Sequence, residues 1–272
     1  MDHMGSDPKA GRLLVATPLL GDPNFRRTVV LIVEHEEVQG TLGVVLNRPT
    51  TVGVGQVLED WTELATEPSV VFRGGPVAPN SALALAMIPG RDEPVGWRAL
   101  DGAPALARLG LLDLDTPPRL LAPAITSLRV YAGYAGWSPG QLEAEIEEGA
   151  WYVLAAQPGD VFAAEPERLW REVLRRQDGD LAFLATYPDD PAMNLTAGGS
   201  SGIRWISCAL SSSLTCRMTS AKVARSRSRE VPRWPARSAP CSPALPTATT
   251  TWWRPRTITS TQAPTSRTSL TT

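Results

Sequence analysis

The chain has 272 residues, 43% of them hydrophobic and 20% charged, with a formal charge of −2 that hides a split. Residues 1–195 hold 15 basic and 27 acidic side chains, a net −12; the remaining 77 hold 11 basic side chains and a single acid, Glu230, a net +10. The longest apolar run, Ala82 to Ile88, is far short of the roughly 18 residues that a membrane span requires, and no cysteine precedes Cys208, so a thiolate metal site, a disulfide framework and a cysteine nucleophile are excluded from the acidic part.

Residues 1–10 read as a flexible, polar N-terminus without a signal-peptide pattern, which makes the cytoplasm the expected address and membrane association unexpected. The next stretch, 11–195, reads as one globular domain. Leu13 to Ala16 is a strand closed by Pro18, and Thr28 to Val33 is a continuous β-branched run that suits a strand covered on both faces. Gly43 to Asn47 follows a short link containing Gly40, which predicts a hairpin. Ser69 to Phe72 and Ala82 to Ile88 flank a turn at Arg73-Gly74-Gly75-Pro76, and Leu128 to Tyr131 and Trp151 to Leu154 complete the strands.

Two helices are signalled. Ser138 is placed to cap the first, with Pro139 at the first helical position, Gln141 completing a capping box and Gly149 ending it. The second runs from about Glu165 to Arg176, acids first and bases last, with Leu169, Trp170, Val173 and Leu174 as its apolar stripe. Strands come in runs rather than in alternation with helices, so the expected class is α+β with a largely antiparallel sheet.

From 196 to 272 there is no Asp, Phe or Tyr, and Ser, Thr, Arg, Ala and Pro dominate without strand or helix periodicity. Such a segment buries too little apolar surface to offset its ordering entropy, which predicts a disordered basic tail. It reads either as a basic arm or as the product of GC-rich DNA translated out of frame or past its stop; the second reading is favoured.

Gly136-Trp137-Ser138-Pro139-Gly140 is a literal Gly-x-Ser-x-Gly between a strand and a helix. It is rejected as a hydrolase site, because the residue after the serine must donate its N–H to the oxyanion and Pro139 has none, and because no histidine follows His35. His35 and Glu37 are a thin ligand set, and a hydrogen-bonded strand-end histidine is the favoured reading over a metal site. Asp113/Asp115 and Asp189/Asp190 are paired acids by spacing alone. The more informative residues are basic. Arg73-Gly74-Gly75 combines a guanidinium with backbone geometry open to an anion, Asn47-Arg48-Pro49 repeats the chemistry at another strand end, and Arg26 and Arg27 precede the long buried strand. Convergence of these arginines would make an anion site on an acidic body. The competing expectation, weighted somewhat higher, is that each arginine neutralises a nearby carboxylate.

The run Gly11 to Leu14, Ala16-Thr17-Pro18, Asp22 to Val30 and Glu34-His35 resembles the opening of the YqgE/AlgH family of bacterial proteins. Gly43 to Pro49, Gly74 to Val77, Gly133 to Trp137, Gly140 to Glu143, Trp151 and Pro188 to Pro191 continue the resemblance to about residue 194. It implies a β-sheet curled into a pseudo-barrel with flanking helices, a cytosolic protein and an involvement in transcriptional regulation, and it carries over no catalytic residue, metal or cofactor. Arg26, Arg27, His35, Asn47, Arg48, Arg73, Gly74 and Gly75 are the candidate residues of a shared anion cleft. The expected function is a non-catalytic regulatory module that binds a small anionic ligand or a protein partner. The alternatives are a DNA-binding regulator, disfavoured for a domain at −12, and an enzyme acting on a phosphorylated metabolite.

Overall fold

The computed structural model describes residues 7–90, 93–100, 106–188 and 256–257. Ten strands come from the first 155 residues: β1 (Arg12–Ala16), β2 (Val29–Glu36), β3 (Gly40–Val45), β4 (Pro49–Gly53), β5 (Val70–Arg73), β6 (Val77–Met87), β7 (Trp97–Ala99), β8 (Leu109–Leu112), β9 (Ser127–Trp137) and β10 (Trp151–Ala155). The helices are short: α1 (Pro118–Leu121), α2 (Gln141–Glu147), α3 (Pro158–Val161), α4 (Leu169–Arg175) and α5 (Asp180–Leu184). The sheet follows the order β10-β1-β2-β3-β9-β6-β8-β7 and is antiparallel along that path, with β4 and β5 joined to it where β5 runs parallel to β9. It curls into a half-barrel, as the α+β reading with a curled sheet anticipated.

The strand β9 joins the two halves of the curl. Its first half pairs with β6, from Ser127↔Met87 to Ala132↔Ala82, and its last three residues pair with β3, Ala135↔Gly43 to Trp137↔Thr41. The bend between them falls at Gly133, whose φ of +71° is accessible to glycine at little cost. The turn before β6 packs directly on that bend. A Cβ at Gly74 would collide with the Gly133 carbonyl and one at Gly75 with the Tyr134 carbonyl, so both positions require the smallest residue.

Why the strand runs are continuously apolar is plain from their two faces. Leu13, Val15, Leu31, Val33, Leu83, Leu85, Leu111 and Tyr131 face a core closed by Leu169, Trp170, Val173 and Leu174 of α4. Leu14, Ala16, Val30 and Ile32 point the other way, onto Trp137, Trp151 and Leu142 of α2. Each fully buried aliphatic side chain contributes roughly 1.5–3 kcal/mol relative to exposure, so a polar substitution on either face of β2 removes stability. Around the far half, Ala82, Ala84, Ala86, Leu128 and Val130 are covered by Val54, Leu58, Trp61 and Leu121.

Several expectations need correction. The helix expected to start at Ser138 starts at Gln141, with Gly140 (φ +75°) as its cap. Only half of the anticipated box is present, the Gln141 side-chain oxygen accepting from the Ser138 N–H at 3.1 Å. Strands β4, β7 and β8 and helices α1, α3 and α5 were not anticipated, and β9 runs six residues past Tyr131. The disorder expected for 196–272 lies outside the described residues, except for Arg256–Thr257, which form a two-residue strand β11 paired antiparallel with Ser81 and Ala82 of β6. Asp189 and Asp190 also lie outside them. Among the described residues no helix is long and apolar enough to cross a membrane.

Candidate functional site

The turn before β2 and the start of β4 are built around Asn47. This buried amide accepts the Val29 N–H at 2.9 Å and donates to the Arg27 carbonyl at 2.9 Å, pinning the end of β3 to the turn at 25–28. Asn47 therefore spends its amide on the fold, not on a ligand. Its clamp sets where the flanking arginines go. Arg48 lies one residue on, beside Arg26, and donates from Nη2 to the Arg26 carbonyl at 2.5 Å.

Arg27 takes the opposite direction. Its φ of +54° places it in the left-handed region, and its guanidinium lies 4.4 Å from the Trp170 ring centroid and donates to the Tyr187 carbonyl at 3.1 Å. It holds α4 and the segment after α5 against the turn. His35 stands at the other end of β2, six residues from Val29 and thus about 20 Å away along the strand. There its Nδ1 bonds Thr41 Oγ1 at 2.8 Å and its Nε2 lies 3.8 Å from Glu143. The eight candidate residues thus do not form one cleft: Arg27, His35 and Asn47 have structural positions.

Arg48, Arg73 and Gly75 do come together. The Arg73 N–H donates to the Arg48 carbonyl at 2.8 Å, one step beyond the Pro49↔Phe72 pair, so the two arginines are cross-strand neighbours in the β4–β5 ladder. Both line an open cleft of about 410 Å³, whose walls are Pro23 and Asn24 from the loop before β2 and Pro49, Thr50 and Thr51 from β4, with Val45 and Gly75 completing the lining. Gly74 serves the fold instead. Its N–H is spent on the Ala132 carbonyl and its carbonyl accepts the Val45 N–H, both at 2.8 Å, which corrects the expectation that the turn offers exposed amides to an anion.

The electrostatics of the pair are unusual for an acidic body. Among the described residues no carboxylate lies within ion-pair distance of Arg48 or Arg73, and none lines the cleft. The expectation that each arginine neutralises a carboxylate fails for these two. Burial, then the neighbouring charges of Arg73 and Arg26, hold Arg48 below the usual guanidinium value. Like charges directly opposite each other on a ladder cost stability, so the arrangement is disfavoured unless something anionic joins it.

A second cleft, beside α3 and α4, shows the contrast. Its Asp160 is buried, accepts the Gln157 N–H at 2.7 Å and receives two bonds from Arg176, so this carboxylate and guanidinium already satisfy each other. The other sequence candidates are also structural. Asp113 accepts the Asp115 N–H in a local turn at 2.9 Å. The Trp137 of Gly136-Trp137-Ser138 and Trp151 both donate their indole N–H to one oxygen of Glu145, at 3.0 and 2.9 Å, and the two rings flank Phe25. Pro23, Asn24, Thr50 and Thr51 were not anticipated as cleft residues; the clearest available signal was Thr50-Thr51 directly after Asn47-Arg48-Pro49.

A family model described as AlgH-like matches residues 13–182. A UPF0301 protein of Streptomyces coelicolor is 63% identical over 188 residues, covering 68% of this chain and 94% of its own, and one of Mycobacterium tuberculosis is 47% identical over 190 residues, covering 68% and 91%. Among solved structures, a protein of Corynebacterium diphtheriae superimposes with a TM-score of 0.63 at 33% identity, over 69% of this chain and 95% of its own. The solution structure of the AlgH protein of Pseudomonas aeruginosa follows at a TM-score of 0.50 and 28% identity, over 70% and 100%. With this matched core and a common curled sheet, the chain belongs to the AlgH-like family of UPF0301 proteins.

Proposed function

We propose that the protein is a non-catalytic regulatory module of the cytoplasm that binds a small anionic ligand, or an anionic group of a protein partner, in the Arg48–Arg73 cleft. The observation that carries this reading is the pair of adjacent guanidiniums, set on a body of net charge −12, without a carboxylate within ion-pair distance among the described residues. Binding rather than turnover fits the lining, which offers guanidiniums, an amide and two threonine hydroxyls. One of those hydroxyls, on Thr50, already donates to the Val71 carbonyl at 2.6 Å. Direct DNA binding by the 11–195 domain is disfavoured because duplex affinity depends on neutralising many phosphates, so any transcriptional effect would run through the ligand or partner.

Thermal melting of the full-length chain tests this. Because a ligand that binds only the native state raises its stability, sodium phosphate is expected to raise Tm above sodium chloride of equal ionic strength, and Arg73→Gln to abolish the difference. Equal melting in both salts, or an unchanged difference in the variant, would contradict the reading.

A further inference from the structure

If the cleft is an anion site, its geometry says which anion. Arg48, the residue just before β4, and Arg73, the last of β5, stand on hydrogen-bonded neighbouring positions, so their side chains start one strand spacing apart, about 5 Å. A monocarboxylate has two oxygens and one charge, which a single guanidinium fork satisfies completely. It would leave the second arginine as unneutralised as before. A phosphodiester presents one charge as well. The group that matches two adjacent guanidiniums is one with close to two charges and three terminal acceptor oxygens, which describes a phosphate monoester at neutral pH.

The rest of the lining agrees with that assignment. Arg73 makes no side-chain hydrogen bond or ion pair among the described residues, and Arg48 spends only one donor, on the Arg26 carbonyl, leaving its other N–H groups for an oxyanion. The Asn24 amide and Thr51 hydroxyl supply further donors beside them, and Pro23, Val45 and Pro49 give an apolar wall for the organic part. A cleft of about 410 Å³ falls at the small end of the range that encloses metabolite-sized ligands. Resting on the anion-site reading above, we propose that the cleft is specific for the dianionic phosphate monoester of a small metabolite.

Calorimetric titration of the full-length chain with phenyl phosphate and with methyl phenyl phosphate separates charge from shape, since the two share a ring and differ by one negative charge. The monoester is expected to bind at least tenfold tighter than the diester. Its affinity should fall about tenfold between pH 7 and pH 5, as the second phosphate proton, with a pKa of about 6, returns. Inorganic phosphate should bind more weakly than phenyl phosphate, because it leaves the apolar wall uncovered; equal affinity would overturn the metabolite part of the proposal. Arg73→Gln should lose the monoester preference while Arg73→Lys keeps much of it, and a cooperative melt in chloride at or above the wild-type Tm would show that both variants fold. Should Arg73→Gln fail to fold, Thr51→Val serves as the second variant, expected to weaken phenyl phosphate binding several-fold; wild-type affinity in either folded variant would overturn the placement. Equal, pH-independent binding of phenyl phosphate, its diester and benzoate would overturn the monoester assignment but keep an anion site, whereas no binding of any of them would overturn both.

Discussion

Among the described residues, Arg129 on one side and Arg48 with Arg73 on the other have no carboxylate within ion-pair distance, and they differ in what their donors do. Arg129 is 2% exposed near the start of β9, where it donates to the carbonyls of Val161, Glu67 and Ala163 at 2.8–3.1 Å and stacks 4.4 Å over the Phe72 ring. Burial holds its pKa below the ordinary guanidinium value; three of its N–H groups are spent on carbonyls of the fold, and its Nε, without a partner among the described residues, is buried out of reach of solvent. It ties the loop before β5 and the segment around α3 to the sheet. Arg48 and Arg73 stand at the surface, where the only side-chain bond either makes among the described residues runs from Arg48 to the Arg26 carbonyl. An unneutralised arginine is therefore not by itself a mark of a binding site; unspent donors beside a cleft are. The same test dismisses the Asp160–Arg176 cleft, where the carboxylate and guanidinium satisfy each other.

Substitutions at each set of arginines test this difference. The largest effect is expected at Arg129. Arg129→Met keeps the length but leaves the buried Val161 carbonyl and the part-buried Glu67 and Ala163 carbonyls without their donor, at roughly 1–3 kcal/mol for each group left unsatisfied, so denaturant unfolding should show a loss of about 3–5 kcal/mol while phosphate affinity of the folded protein stays unchanged. Next comes Arg48→Gln, which removes one guanidinium from the cleft and should weaken phosphate binding at least tenfold, or about 1.4 kcal/mol by titration. A stability loss near 1 kcal/mol should accompany it, from the broken bond to the Arg26 carbonyl.

Tyr131 gives a pH test on the buried side. Its hydroxyl is fully buried without a hydrogen-bond partner among the described residues, and burial, offset in part by Arg129, pushes its pKa well above the ordinary phenol value. A raised acid pKa means that the folded state resists ionisation, so the stability it reflects is complete below the unfolded value of about 10 and is lost as pH rises above it. Tyr131→Phe should leave stability at pH 7 within about 1 kcal/mol of wild type and flatten its decline above pH 10, as followed by chemical unfolding across pH. The smallest expected effect is a gain. Arg73→Gln relieves a like-charge cross-strand pair and should stabilise the apo protein by about 0.2–1 kcal/mol at low salt, an increment that vanishes when the melt is repeated at 1 M salt.

Much of the fold was legible because apolar runs announce strands buried on both faces: β1, β2 and β10 fall within a few residues of the runs that predicted them, and the α4 stripe is buried as its spacing requires. What was hidden has local causes. Gly133 interrupts β9 in sequence where it bends between two partners, Pro49 disguises the start of β4, and Gly110 breaks the apolar run of β8. The site was half legible. Arg48 and Arg73 were nominated as strand-end arginines, but nothing in their composition separates Arg26 from Arg27. The left-handed turn at Arg27 sends that side chain to Trp170, a tertiary outcome that residue type alone does not encode. His35 was grouped with them by sequence proximity to a shared strand, whose length keeps it away.

The guanidiniums of Arg48 and Arg73 keep donors open to an oxyanion at a surface cleft, whereas those of Arg129 are either spent on carbonyls or buried away from any ligand. Recording the arginine side-chain Nε–H resonances of nitrogen-15-labelled protein during a phosphate titration reads this residue by residue. The account predicts that the signals of Arg48 and Arg73 shift together and saturate while that of Arg129 stays in place; movement of every arginine in proportion to ionic strength, or no saturating shift at Arg48 and Arg73, would contradict it.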